Sequence, residues 1–262
     1  MAAIFFIVRI MKHRLFIIFL FILTCSHMQG QEFWQQHQWG IDYLGGRTIK
    51  HRPNMVFDLP RGLWSISLEM GKQTRGEYPW EKPLHYPRVG WIASVIDYGN
   101  PVVLGQSYSI SPFVDYPLWR RGFFSVDGRF AMGVAFNTKT FHPENNPLNN
   151  AISSRFNMHP ELGMNFKFQL SDHWLIRTGT LISHQSNSKF KQPNLGINSI
   201  QLRFGVVYAP STLDIKPEAQ KTTYPKPTTQ RKWHPIVQLG RGWKEDKTFG
   251  SPIYPVFHLR TG

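Results

Sequence analysis

From residue 38 onward the chain alternates apolar and polar positions two by two, and no long stretch with a helical period competes with that pattern. Trp64-Ser-Ile-Ser-Leu-Glu-Met70 sets Trp64, Ile66, Leu68 and Met70 against Ser65, Ser67 and Glu69. Between 124 and 136, Phe124, Val126, Phe130, Met132, Val134 and Phe136 share one parity, while Ser125, Asp127, Arg129, Ala131, Gly133 and Ala135 share the other. Leu162-Gly-Met-Asn-Phe-Lys-Phe-Gln-Leu170 repeats the arrangement. Successive side chains of a strand point to opposite faces, so each run reads as a strand with one greasy side. The pattern predicts strands at roughly 38–46, 62–73, 88–98, 102–114, 122–137, 159–170, 174–186 and 198–209.

Two architectures produce such alternation: a soluble sandwich or barrel with its apolar side inward, and a membrane barrel with its apolar side outward. The apolar faces are rich in aromatic residues, and Asp127, Arg129, Lys167 and Arg203 stand on the opposite faces. The runs are also long enough for tilted membrane spans. These features favour the membrane: an all-β, antiparallel up-and-down outer-membrane β-barrel of about eight strands, with room for extra strands at the C-terminus.

The termini refine this picture. Residues 1–31 carry Lys12, His13 and Arg14, then an apolar run over 15–25, then a polar exit, the layout of a secretory signal peptide. Cys25, the single cysteine, is a poor match to a lipoprotein cleavage site because Thr24 before it is bulky. The mature chain therefore has no disulfide and no thiolate metal site. Beyond the signal no apolar run approaches the length of a membrane helix. We expect the barrel over 32–209, a linker rich in Pro, Thr and Lys over 210–231, and a further strand-like segment over 232–262. That last segment either adds two strands to the barrel or marks a truncated copy of a longer protein.

The formal net charge of +14 and the pI near 10.0 suggest an acidic partner, or else only solvated loops rich in Lys and Arg. Nucleic acid is the generic candidate, but export argues against it, and anionic lipid headgroups fit better. With the N-terminus in the periplasm, Leu170-Ser-Asp-His-Trp174 is a periplasmic turn, 138–158 a long polar outer loop, and the seventh strand runs outward. The 74–87 connection is long for a periplasmic turn, and Asn100-Pro101 short for an outer one.

At the outer end of the seventh strand lies the candidate chemistry. Ile176, Thr178, Thr180, Ile182, His184 and Ser186 share a parity, and in the eighth strand Asn198 shares one with Ile200, Leu202, Phe204, Val206 and Tyr208. His184, Ser186 and Asn198 thus face lipid at headgroup level, where unpartnered polar groups are costly. A base, a nucleophile and an orienting group side by side are the makings of nucleophilic catalysis. The bland alternative is a His-x-Ser pair at a strand end that only marks the membrane interface.

The stretch His184-Gln-Ser186-Asn187, followed by Lys191-Gln-Pro193-Asn194-Leu-Gly196-Ile197-Asn198, resembles the active-site hairpin of the lipid A 3-O-deacylase (PagL-type) family, akin by name to acyloxyacyl hydrolases. That family carries His-x-Ser-Asn, then Lys-Gln-Pro-Asn-x-Gly-Ile-Glu. Looser likeness at Lys72–Gly76, Asp97–Pro101 and Asn150–Ser154 extends the resemblance over about 38–210. It implies a bacterial outer-membrane esterase acting on lipid A of lipopolysaccharide, with no metal, no cofactor and no obligate protein partner. Ser186 is then the nucleophile and His184 its base. Asn187 and neighbouring backbone N–H groups stabilise the oxyanion, with Ser188, Lys189 and Asn194 supporting the loop.

Two positions depart from the family pattern. Asn198 stands where the family has Glu, and an amide orients an imidazole without offsetting its charge. Asp42 and Asp172 are other acids, but nothing in the sequence brings either near His184. Ser188-Lys189 stands where the family has a small residue and Gly, which removes easy access to positive φ. These departures keep open a catalytically impaired barrel with a structural or lipid-binding role. A third reading is an exported β-sandwich that binds acidic glycans.

Overall fold

The computed structural model describes residues 30–211, 235–246 and 248–261. The signal-peptide segment falls almost wholly outside the described residues, as does most of the expected linker. A short helix, α1 (Gly30–Gln36), leads into eight strands: β1 (Gln38–Ile49), β2 (Leu63–Gln73), β3 (Arg88–Asp97), β4 (Gln106–Arg121), β5 (Phe124–Asn137), β6 (Phe156–Gln169), β7 (Trp174–Gln185) and β8 (Ile197–Tyr208). Each pairs antiparallel with its sequence neighbours, and β1 closes on β8 from Trp39↔Tyr208 to Ile49↔Asn198. Closure leaves no unpaired edge, which is the condition for a sheet in hydrocarbon.

The greasy parity faces outward. Ile41, Tyr43, Leu68, Trp91, Leu162, Leu202 and Phe204 are all exposed on the wall. Trp39, Trp91, Trp119, Trp174 and Tyr208 gather at the end of the barrel where the chain enters β1, with Trp34 of α1 stacked on Trp39 at 4.3 Å and Trp174 against Tyr208 at 4.8 Å. Amphipathic rings of this kind anchor a barrel at the membrane interface.

The polar parity fills the lumen with paired charge. Arg129 bonds Asp115 Oδ1 and Glu69 Oε2, each at 2.6 Å. Arg88 reaches Glu69 at 2.7 Å, and Arg177 reaches Asp42 at 2.7 Å. Lys167 sits between Asp115 and Asp127. Gly205 opposite Asp42 leaves room for that carboxylate, since a Cβ there would lie 1.9 Å from its oxygen.

Above this polar column the outer loops condense into an apolar cap. Met55 and Phe57 from the first loop meet Val103 and Leu104 from the second, Ala151 and Ile152 from the third, and Ile197, with Leu195 packed against them. Apolar burial of this kind immobilises loops that otherwise run free over a surface.

Three strand boundaries need correction, and the place of the C-terminal strands is resolved. β1 continues three residues past 46, because its ladder with β8 overrides the Gly45-Gly46 pair that would weaken a strand. The fourth strand lies over 106–121 rather than 102–114: Val103 and Leu104 are drawn into the cap, while Pro117 is accommodated at a register shift next to Trp119. β6 begins at 156 rather than 159. The two C-terminal strands, β9 (Val237–Glu245) and β10 (Ile253–Thr261), do not enlarge the barrel. They form a separate two-stranded sheet, since β1 and β8 have already satisfied each other's edges.

Candidate active site

The β7–β8 register sets His184 directly opposite Asn198 on the outward face. One further step along the chain, Ser186 has left the ladder with β8 but keeps a bridge to Met158 of β6, whose N–H donates to the Ser186 carbonyl at 2.8 Å. The three polar side chains are thereby fixed in one row on the lipid-facing wall, each half-buried. His184 Nε2 lies 2.9 Å from Ser186 Oγ, and Nδ1 bonds Asn198 Oδ1 on its other side. With the carbonyl oxygen of Asn198 accepting the Nδ1 proton, Nε2 is left as the lone-pair side facing the hydroxyl. That is the tautomer a general base requires. Neither Asp42 nor Asp172 approaches: Asp42 is held in the lumen by Arg177, and Asp172 lies in the β6–β7 turn at the far end of the barrel.

Gly196 is the hidden partner of the imidazole. Its φ is +80°, and a Cβ there would lie 2.6 Å from His184 Cε1. The ring therefore rests on bare backbone. The Gly196 N–H donates to the Ala151 carbonyl at 2.9 Å and the Leu195 N–H to Asn150 at 3.2 Å, which hang this loop from the cap. His51, which the sequence did not single out, donates through Nε2 to the Leu195 carbonyl at 2.9 Å, with its ring 6.3 Å from that of His184. No periodic signal marks His51, since it lies two residues past the end of β1 in an irregular loop.

The loop after Ser186 differs in part from expectation. Asn194 Oδ1 accepts the Asn187 N–H at 3.2 Å. The Asn187 side chain, however, is buried and turned into the loop, donating to Ser153 Oγ at 3.1 Å and the Lys191 carbonyl at 2.9 Å. Both of its donors are thus engaged in bracing the loop. Ser188 and Lys189 adopt φ of 55° and 66°, so the left-handed turn survives without glycine. Their backbone N–H groups have no partner among the described residues, and Ser188 Oγ contacts Met158 Sδ at 3.1 Å. Near the loop tip, the Gln192 N–H donates to Glu245 and Lys191 Nζ stands 5.3 Å over the Phe249 ring, so the β9–β10 turn touches this segment. Among the described residues no group of three or more His, Cys, Asp or Glu side chains is arranged to hold a metal ion.

The sequence model described as "Lipid A 3-O-deacylase (PagL)" matches residues 66–207, more than half of the chain. The chain belongs to the PagL family. Among solved structures it is similar to that of the outer-membrane enzyme PagL, at 18% identity, covering 63% of this chain and 97% of that one with a TM-score of 0.44. Neisserial surface protein A is similar at 10% identity, covering 66% and 97% with a TM-score of 0.44. Ail, the attachment invasion locus protein of Yersinia pestis, is similar at 13% identity, covering 66% and 96% with a TM-score of 0.37. No curated protein matches. Family and fold together make this PagL-family member an outer-membrane β-barrel.

Proposed function

We propose that this PagL-family barrel is an outer-membrane esterase that removes the 3-O-linked acyl chain of lipid A, with Ser186 as nucleophile and His184 as general base. The observation that carries the reading is the outward-facing Ser186–His184–Asn198 row, with the hydroxyl 2.9 Å from Nε2. A lipid ester lying in the outer leaflet meets that row without leaving the membrane. Ser186 Oγ attacks the ester carbonyl while Nε2 takes its proton. The unpartnered N–H groups of Ser188 and Lys189 receive the negative charge that develops on the carbonyl oxygen. Collapse of the tetrahedral intermediate expels the sugar 3-hydroxyl, to which the imidazolium returns the proton. Water, deprotonated by the same imidazole, then attacks the acyl-serine, and the fatty acid departs as Ser186 regains its hydrogen.

Asn198 sets the speed. It selects the right tautomer, but as a neutral amide it leaves the imidazolium charge uncompensated. In serine proteases the corresponding Asp-to-Asn change costs on the order of 10⁴ in turnover through the wrong tautomer. Here the carbonyl already faces Nδ1, so only the electrostatic share of that loss applies. The same amide favours a second reading, in which the barrel binds lipid A and turns it over at a negligible rate.

Expression in a bacterial outer membrane, followed by mass spectrometry of lipid A, tests the proposal. Loss of one 3-hydroxyacyl chain is expected with the natural sequence and not with Ser186→Ala or His184→Ala. Intact lipid A alongside a good yield of heat-modifiable, folded barrel overturns the esterase in favour of the second reading.

A further inference from the structure

The wall around the triad is not symmetric. On the β6 side it is apolar: Met158 flanks Ser186, with Phe156 and Leu162 exposed beyond it. On the β8–β1 side the row His184–Asn198 continues straight to Ile49, which pairs with Asn198, and two pairs deeper, on the same face, Arg47 stands opposite Ile200. Arg47 has the outward parity of Tyr43 and Ile49 and is exposed. It lies two strands over and two pairs down from His184, about 10 Å across the sheet and about 7 Å along it. A guanidinium at that depth is costly in hydrocarbon unless its stem carries it up to the headgroup level, where the triad lies. At that level Lys50 and Arg52 also leave β1, both exposed. Among the described residues none of the three is paired with a carboxylate, whereas the lumen cations are. An unpaired planar guanidinium beside an ester-cleaving row suits a tetrahedral oxyanion on the substrate.

We propose that Arg47, supported by Lys50 and Arg52, forms a subsite for a phosphomonoester on the glycolipid substrate, placing the sugar over β8–β1 and the departing acyl chain over β6. This rests on reading the triad as the site of ester cleavage, but it is tested by binding rather than turnover. Ser186→Ala protein in detergent micelles is titrated with phosphorylated lipid A, with the same lipid A after removal of its phosphates, and with phosphatidylglycerol as competitor. Adding Arg47→Ala should weaken binding of the phosphorylated form by about tenfold, as for the loss of one charge-assisted contact. The dephosphorylated form should bind both proteins alike, and Arg47→Lys should restore only part of the difference, since an ammonium keeps the charge without the planar fork. Equal weakening for both lipids, or none for either, overturns the subsite. Equal displacement by phosphatidylglycerol overturns the phosphomonoester as its ligand in favour of general anion attraction. Absence of hydrolysis by the natural sequence would refute the esterase while leaving this binding result standing.

Discussion

At the scale of single residues, the site turns on what Asn198 and Lys189 are not. If Asn198 occupies the orienting position, Asn198→Glu places a carboxylate against Nδ1 and stabilises the imidazolium. The rate of 3-hydroxy fatty acid release should then rise, and a collapse in rate would remove Asn198 from that role. Lys189 holds a φ of 66°, a conformation that costs a side-chain-bearing residue roughly 1 kcal/mol or more. Lys189→Gly relieves that strain next to Ser186, so the variant should hydrolyse lipid A at least as fast; a tenfold loss, read from fatty acid release, would show that the lysine side chain itself is needed. The row itself was legible from parity alone, because strand alternation forces His184, Ser186 and Asn198 onto one face. The engagement of Asn187 with Ser153 and Lys191 was not legible, since it depends on how an irregular loop folds back on residues distant in sequence.

At the scale of elements, the β7–β8 hairpin is only half of the site, and the loop cap is the other half. Leu195 and Ile197 pack into the cap, and Gly196 between them carries the imidazole on its bare α-carbon. Gly196→Ala combines a strained positive φ with a methyl group 2.6 Å from His184 Cε1. It should displace the ring and lower kcat by about a hundredfold or more, the scale of a misplacement of about 1 Å, while the heat-modifiable gel shift of the folded barrel persists. Unchanged kcat would mean that the ring has slack not seen here. The strands themselves could be read from the sequence within a few residues, as β2, β5 and β7 attest. The cap could not. Met55, Phe57, Val103, Leu104, Ala151 and Ile152 are scattered among polar residues with no period, and only closure of the barrel brings them together. The same blindness displaced the fourth strand, whose first expected residues belong to the cap.

At the scale of the whole molecule, the charge network and the proposed chemistry occupy opposite faces of one wall. The lumen holds Asp115 against Arg129 and Lys167, all but sealed from solvent. Asp115→Ala removes the carboxylate that Arg129, Lys167 and Arg88 share, leaving an excess of buried positive charge on Glu69 and Asp127; this should cost about 3 kcal/mol, seen as a lower urea midpoint for unfolding from detergent micelles. Lipid A hydrolysis by the folded fraction should be unaffected, because the triad touches none of these groups. Equal stability would mean that water reaches the lumen and solvates the excess charge. A cylinder so filled, and roofed by its own apolar loops, offers ions no route from one end to the other. Reconstituted into a planar bilayer it should be electrically silent, and bacteria making it should exclude small dyes as well as those that do not. If it cleaves lipid A as proposed, it alters the cell surface without opening a leak in it.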